Sequence, residues 1–338
     1  MKNHYSIHTF ELRKYCKYKE FNQYLDMFKA EAKGNYKVYM NEKETVICRF
    51  EGKGIRMIMK PKKKKPYISF IINPQEVLHN GDLIHLIKHD KLCKALHAVD
   101  LMLHDLNKGE FSVNSLDLCR IDFSANIKVP KEDIPHYIAL FRKTRAKKGY
   151  KIKGQRKSYI ARENGFTAEN KQAGKAIAIY NKEAQLEQIG KHKQAKRASG
   201  IMRVEFQLLK QSTIKDYASG KTNYLRIMSC AENSEAKIQE MLVHHFMDAD
   251  YYKGKEAFKL INASHYKNNR KEKMQCLIYQ TAIKHGVFNG KQEMQDTYKM
   301  ADSTVIDILN ALQAINVNAV TLKKNGKVKY LSSFFRYL

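Results

Sequence analysis

At 338 residues the chain is long enough for one large domain and a smaller one, and 43% hydrophobic residues can fill ordinary cores, which excludes a disordered tail. Its 62 Lys and Arg against 34 Asp and Glu leave a net charge of +28, a field that concentrates counter-ions and steers the chain toward a polyanion, nucleic acid foremost. No apolar run approaches the roughly 20 residues that span a bilayer, and Met1 to Arg13 holds no apolar signal core, so a cytoplasmic protein with no membrane partner is expected.

From Tyr36 to Ile72 short β-rich runs, Thr45 to Phe50 and Tyr67 to Ile72 among them, alternate with turn residues such as Gly52 and Gly54, which predicts a meander. Lys62 to Lys65, set between Pro61 and Pro66, crown a loop within it. Apolar residues at helical spacing (Leu83, Leu86, Ile87, Leu96, Val99, Leu103) predict one long helix over Leu83 to Leu106. A strand over Leu116 to Ile127 follows. Pro130 with Glu132 and Asp133 then opens a helix that runs through about Phe141, its acids well placed in the first turn.

Arg142 to Arg162 contains ten Lys or Arg and no acid, interleaved with Tyr150, Ile152, Tyr159 and Ile160. Such a segment can follow a phosphate backbone while offering aromatic faces, so a hairpin or loop over DNA is expected, with Arg142, Lys143, Arg145, Lys147, Lys148, Lys151, Lys153, Arg156 and Lys157 as its contacts. Further strands are predicted at Lys175 to Asn181 and Ile201 to Leu209, separated by a helix and a basic connection from Lys191 to Arg197, and the sheet ends near residue 210. Helices such as Ser234 to Met247 and Ser303 to Ile315 take over beyond Ser229. The expected organisation is therefore α+β: a central antiparallel-rich sheet with flanking helices over 1–225, and a smaller, mainly helical domain over 226–338. Its last stretch, Asn318 to Leu331, has an Asn325-Gly326 turn between alternating runs, which predicts a hairpin compatible with a winged helix. The six cysteines are far apart without a CxxC pair, which points to reduced thiols and to no zinc ribbon or disulfide framework.

Three segments carry the chemistry: Arg120-Ile121-Asp122, Ile179-Tyr180-Asn181-Lys182 and Arg203-Val204-Glu205. Strand alternation sets Arg120, Asp122 and Ser124 on one face, Arg203, Glu205 and Gln207 on one face, and Tyr180 with Lys182 opposite Ile177 and Ile179. If the three strands are neighbours, one sheet face holds two carboxylates, a tyrosine and several cations. Asp122 and Glu205 suit Mg²⁺ or Mn²⁺, Tyr180 can split a phosphodiester transfer into two steps through a phosphotyrosine, and Lys182, Arg120 and Arg203 can complement charge on the phosphate oxygens.

In that order, these segments resemble the replication initiators of rolling-circle plasmids of the staphylococcal kind and the gene II proteins of filamentous phages. The plasmid Ile-Tyr-Asn-Lys stands here as Ile179 to Lys182 and its Arg-Val-Glu as Arg203 to Glu205, while the phage resemblance covers roughly Ile68 to Tyr217 and includes Ala198-Ser199-Gly200. The resemblance implies that Tyr180 is the nicking tyrosine, that Asp122 and Glu205 are metal-site carboxylates, and that a 5′-phosphotyrosine forms at a plus-strand origin. The expected partners are origin DNA, single-stranded or as a hairpin nick site, a host helicase, and a second copy of the chain. One position departs: Gln185 stands where these families commonly have Glu, with Glu183 as the nearby substitute. A conjugative relaxase with a similar site, and a basic DNA-binding protein without catalysis, are the alternatives. His-hydrophobe-His and HExxH motifs are both absent, which disfavours the other large nickase class and zinc proteases.

Overall fold

The computed structural model describes residues 4–31, 37–40, 46–52, 54–61, 65–106, 109–144, 149–153 and 164–338. A strand that sequence pattern alone does not announce comes first, β1 (His4–Tyr15), followed by α1 (Tyr18–Glu31). The meander follows as β2 (Lys37–Met40), β3 (Val46–Gly52), β4 (Ile55–Lys60) and β5 (Tyr67–Ile72), with Lys62 to Lys64 of its basic loop outside the described residues. Pro74 and the Asn73 side chain, which accepts from the Gln75 and Glu76 N–H groups, start the short α2 (Pro74–Leu78), and α3 (His89–Leu106) comes next.

The segments with chemistry follow: β6 (Asp117–Lys128), α4 (Ile134–Thr144), β7 (Lys151–Lys153), β8 (Gly165–Asn170), β9 (Lys175–Asn181), α5 (Lys182–Gln188), α6 (His192–Arg197) and β10 (Ile201–Leu208). The remainder is α7 (Gln211–Tyr217), α8 (Asn223–Glu232), α9 (Ser234–His245), β11 (Tyr251–Tyr252), α10 (Gly254–Ala263), α11 (Asn268–Ile283), α12 (Val287–Asp296), α13 (Asp302–Ala314) and β12 (Tyr330–Leu331). The fold is α+β. Among the described residues ten antiparallel strands form one sheet in the order β2-β3-β4-β5-β1-β6-β10-β9-β8-β7, so β1 pairs with both β5 and β6 at its centre.

One face of that sheet is apolar. Ile121, Phe123 and Ile127 of β6, Val204, Phe206 and Leu208 of β10, and Ile177 and Ile179 of β9 alternate into a core shared with α3, α4, α8 and α9. Ile227, Cys230, Ile238 and Leu242 belong to this core, so the expected division between 225 and 226 falls inside the helical layer that covers the sheet. A second core gathers Ala257, Ile261, Leu277, Ile278, Met294, Val305 and Leu312. From there the chain returns to the first one through Leu331 and Phe334, and the Tyr137 hydroxyl of α4 donates to the Ser332 carbonyl at 2.9 Å.

Three sequence expectations are corrected. The helix expected from Leu83 begins only at His89: Asp82 accepts from the N–H groups of Ile84 and His85, and the Ile84 carbonyl turns toward the sheet to accept from Asn126 and Arg203. Apolar spacing continues through Ile84, Leu86 and Ile87 because these residues are buried in the loop. The basic connection over Lys191 to Arg197 is mostly helical, as α6, with Ala195 buried. The turn near Asn325-Gly326 forms, with the Gly326 N–H on the Lys323 carbonyl, but its flanks do not pair with each other. Leu322 bridges Lys253 while Tyr330 and Leu331 pair with β11, so the 251–253 backbone satisfies both flanks in place of a hairpin.

Candidate active site

The polar face of the sheet is built by register. On β10, Arg203 lies opposite Tyr180 on one side and Asn126 on the other, Glu205 opposite Ala178 and Ser124, and Gln207 opposite Ala176 and Asp122. Thus β9, β10 and β6 are consecutive neighbours, and Tyr180, Glu205 and Asp122 share one face. The strand ends at Asn181, whose side chain accepts from the Ala184 N–H and caps α5. Lys182 is consequently the first residue of a helix and does not continue the strand alternation. Its ammonium nonetheless lies over the Tyr180 ring, 6.0 Å from the centroid, and donates to Gln185 Oε1 at 2.7 Å.

Tyr180 is half-buried, and its hydroxyl donates to Glu205 Oε1 at 2.6 Å while Gln207 Nε2 donates to Glu205 Oε2 at 3.1 Å. Both Glu205 oxygens are thereby oriented. Asp122, 1% exposed, is gripped by the Arg120 guanidinium, with Nε on Oδ1 at 2.7 Å and Nη2 on Oδ2 at 2.5 Å. Arg203 is wholly buried and donates through Nε to Asn126 Oδ1 at 2.7 Å and through Nη2 to the Ile84 carbonyl at 2.5 Å. Its guanidinium underpins the face from within and has no surface for a phosphate to touch.

Burial dominates the titration of this cluster. It drives the Tyr180 phenol well above its ordinary range, with the neighbouring Glu205 charge adding to the effect and Arg203 opposing it. It raises Asp122 to about 7, with Arg120 opposing and the Glu205 and Glu11 charges reinforcing the rise. It lowers the Lys182 ammonium to about 7, helped by Arg203 and resisted by Glu205. Between pH 7 and the ordinary 10.5 of a lysine, the unfolded chain binds a proton at Lys182 that the folded chain does not, so this group's contribution to stability improves as pH rises through that window. Below 7 the burial penalty stands in full. Lys182→Met is therefore expected to stabilise the protein by about 1–4 kcal/mol near pH 6, and the gain should shrink toward pH 10. Urea unfolding at both values checks this, and an equal gain at the two pH values would refute it.

Sequence reasoning missed His8. A register shift between Ile7 and Thr9 inserts His8 as a bulge in β1, which turns its ring onto the polar face with Nε2 4.0 Å from Glu205 Oε1. Burial, then the charges of Arg203, Lys182 and Arg120, hold its pKa well below 6.5, so the imidazole is neutral. Glu11, also on β1, accepts from Ser69 Oγ at 2.5 Å and pairs with Arg13. The bulge is what hides both residues, since it breaks the two-residue period on which a strand is recognised.

The donor types suit a hard divalent cation. Asp122 and Glu205 are carboxylates set as diagonal neighbours on the same face. His8 Nδ1, a buried ring nitrogen, has no hydrogen-bond partner among the described residues. The same residues do not form a preassembled three-ligand cluster, and Arg120 holds both Asp122 oxygens.

The expected DNA contacts are divided. Arg142 reaches the Gly165 carbonyl and lines a cleft of about 520 Å³ beside Tyr180. Lys143 is tied to the Thr321 carbonyl at 3.4 Å, and Lys151 is exposed on β7. Arg145, Lys147, Lys148, Arg156 and Lys157 lie outside the described residues, as does the Lys153 side chain. Neither the models of known protein families nor the sequences of curated proteins match this chain.

Proposed function

We propose that the protein is a DNA strand-nicking and rejoining enzyme that initiates rolling-circle replication, with Tyr180 as nucleophile. The observation that carries this reading is the 2.6 Å hydrogen bond from the Tyr180 hydroxyl to Glu205, at the edge of an open cleft in a chain of net charge +28. Glu205 takes the phenolic proton as the Tyr180 oxygen attacks phosphorus. A phosphorus–tyrosine oxygen bond forms, the bond to the departing 3′ oxygen breaks, and that oxygen leaves as a hydroxyl. Lys182, titrating near 7, is the neighbouring group able to supply its proton. Because the phosphate stays esterified to Tyr180, reversal by a free 3′-hydroxyl rejoins the strand.

Arg203 acts as a positioning residue: it fixes Asn126 and the loop at Ile84 beneath the nucleophile. Mg²⁺ or Mn²⁺ held by Asp122 and Glu205 would neutralise charge on the phosphate oxygens. Origin DNA, a host helicase, a second copy of the chain and a cytoplasmic location belong to this proposal. Among the described residues no helix is long and apolar enough to cross a membrane.

The reading is tested by incubating the protein with supercoiled DNA that carries its native origin, with Mg²⁺ or Mn²⁺, and looking for relaxed circles and a protein–DNA adduct stable to detergent. Absence of both overturns it. Asp122→Asn and Glu205→Gln are each expected to slow cleavage by about 10²-fold or more while origin binding changes by less than about threefold. Equal losses in cleavage and binding would assign the two carboxylates to folding or to general DNA contact.

A further inference from the structure

The cleft beside Tyr180 has an unexpected lining for so basic a chain. Its floor comes from alternate positions of three adjacent strands: Gly165 and Thr167 of β8, Ala178 and Tyr180 of β9, Glu205 and Gln207 of β10. Its wall comes from α5, through Ala184, Gln185 and Gln188. Among the described residues that line it, Arg142 is the one cation and Glu205 the one carboxylate. A phosphate subsite would gather Lys and Arg. The described lining gathers neutral amides over small residues, and amides are the side chains that match the donor and acceptor edges of nucleobases.

Two of those amides are oriented by charged neighbours. The Lys182 nitrogen donates to Gln185 Oε1 at 2.7 Å, so the Gln185 carbonyl faces it and the Gln185 NH₂ group remains as a donor. Glu205 as a carboxylate has acceptors only, so the Gln207 NH₂ group faces it, and the Gln207 carbonyl remains as an acceptor. A fixed donor and a fixed acceptor thus border one cleft. Small residues keep the space open. A Cβ on Gly165 would stand 2.5 Å from Tyr180 Cβ, so any larger residue there would displace the nucleophile. The volume of about 520 Å³ lies within the range of sites that enclose a small organic ligand.

We infer that this cleft binds one unpaired nucleobase of the DNA strand, read by Gln185 and Gln207, and so sets the base preference at the nucleotide beside the phosphate that Tyr180 attacks. The inference rests on the proposed reading that a single DNA strand reaches Tyr180. A base taken out of its stack offers its full hydrogen-bonding edge, and the amides are already aimed, so little ordering cost attaches to the contact. General affinity for the strand comes from phosphate contacts elsewhere on the cationic surface.

The experiment uses the full chain and a pool of short single-stranded DNA with a randomised central segment. Bound molecules and covalent adducts are recovered and sequenced separately, for wild type, Gln207→Ala and Ala184→Leu, the last of which fills the cleft from its wall. The expected wild-type result is a preference of about tenfold at one position, as for a single well-read base, falling below about twofold in both variants, with total pool binding within about twofold of wild type. A preference unchanged in both variants, or a wild type without any preference, overturns the inference. Adducts whose sequence ignores the cleft variants leave the nicking proposal standing and remove this one. A cleft-dependent preference without any adduct supports the base site and removes the nicking proposal instead.

Discussion

Tyr180→Phe is expected to abolish the covalent protein–DNA adduct and to lower origin nicking by at least about 10³-fold, because removing a nucleophile removes the two-step route itself. Origin binding should stay within about twofold, since the phenylalanine keeps the ring that Lys182 overlies and no phosphate contact is assigned to the hydroxyl. The variant should also fold. The hydroxyl it loses is partnered by Glu205, which keeps its bond from Gln207 and sits beside His8. Gel separation of adduct from free strand, with nicking followed on supercoiled DNA, is the measurement. A Phe variant that still forms the adduct would move the nucleophile to another side chain. One that nicks without an adduct would point to hydrolysis by water.

The second large effect is on stability. Arg203→Ala is expected to cost about 3–5 kcal/mol, measured by urea unfolding, because the Asn126 oxygen loses its Arg203 donor, the Ile84 carbonyl keeps only Asn126, and a cavity remains between the sheet and the 83–88 loop. Arg203→Lys should recover only part of this, since an ammonium cannot reproduce the two-pronged reach of a guanidinium to partners on β6 and on the 83–88 loop. A loss below about 1 kcal/mol with cleavage abolished would contradict the positioning role and return Arg203 to contact with the phosphate. The sequence argument grouped Arg203 with the catalytic cations, and the reason is instructive. Parity correctly gave it the face of Glu205 and Gln207, but parity is silent on what covers that face. The covering group is a carbonyl 119 residues away, on a segment that reads as helix.

What was legible followed from regular alternation. β6, β9 and β10 were readable because apolar residues recur at every second position, and the same alternation put Asp122, Tyr180 and Glu205 on a common side before the register was known. The illegible parts have local causes. His8 and Glu11 sit on a strand interrupted by register shifts, so its period is blurred. α3 begins late because Asp82 and the sheet compete for the backbone of the preceding loop. Lys182 was set on the correct side for an incorrect reason, since the Asn181 cap rotates it there through a helical turn.

The strand order also bears on when the proposed nicking activity can first appear during synthesis. The candidate machinery draws on β1, β6, β9 and β10, and β1 is held between β5 and β6 in the middle of the sheet. Glu205, the partner of Tyr180, lies on β10, which pairs with β6 and β9. During synthesis the early strands can meander and pair, but the carboxylate proposed to take the Tyr180 proton is in place only once Ile201–Leu208 has left the ribosome and docked. Pairings this distant in sequence form late and slowly. On the proposed reading, a nascent or truncated chain is expected to adhere to DNA by charge alone, and the proposed ability to break a strand arrives only with the finished sheet.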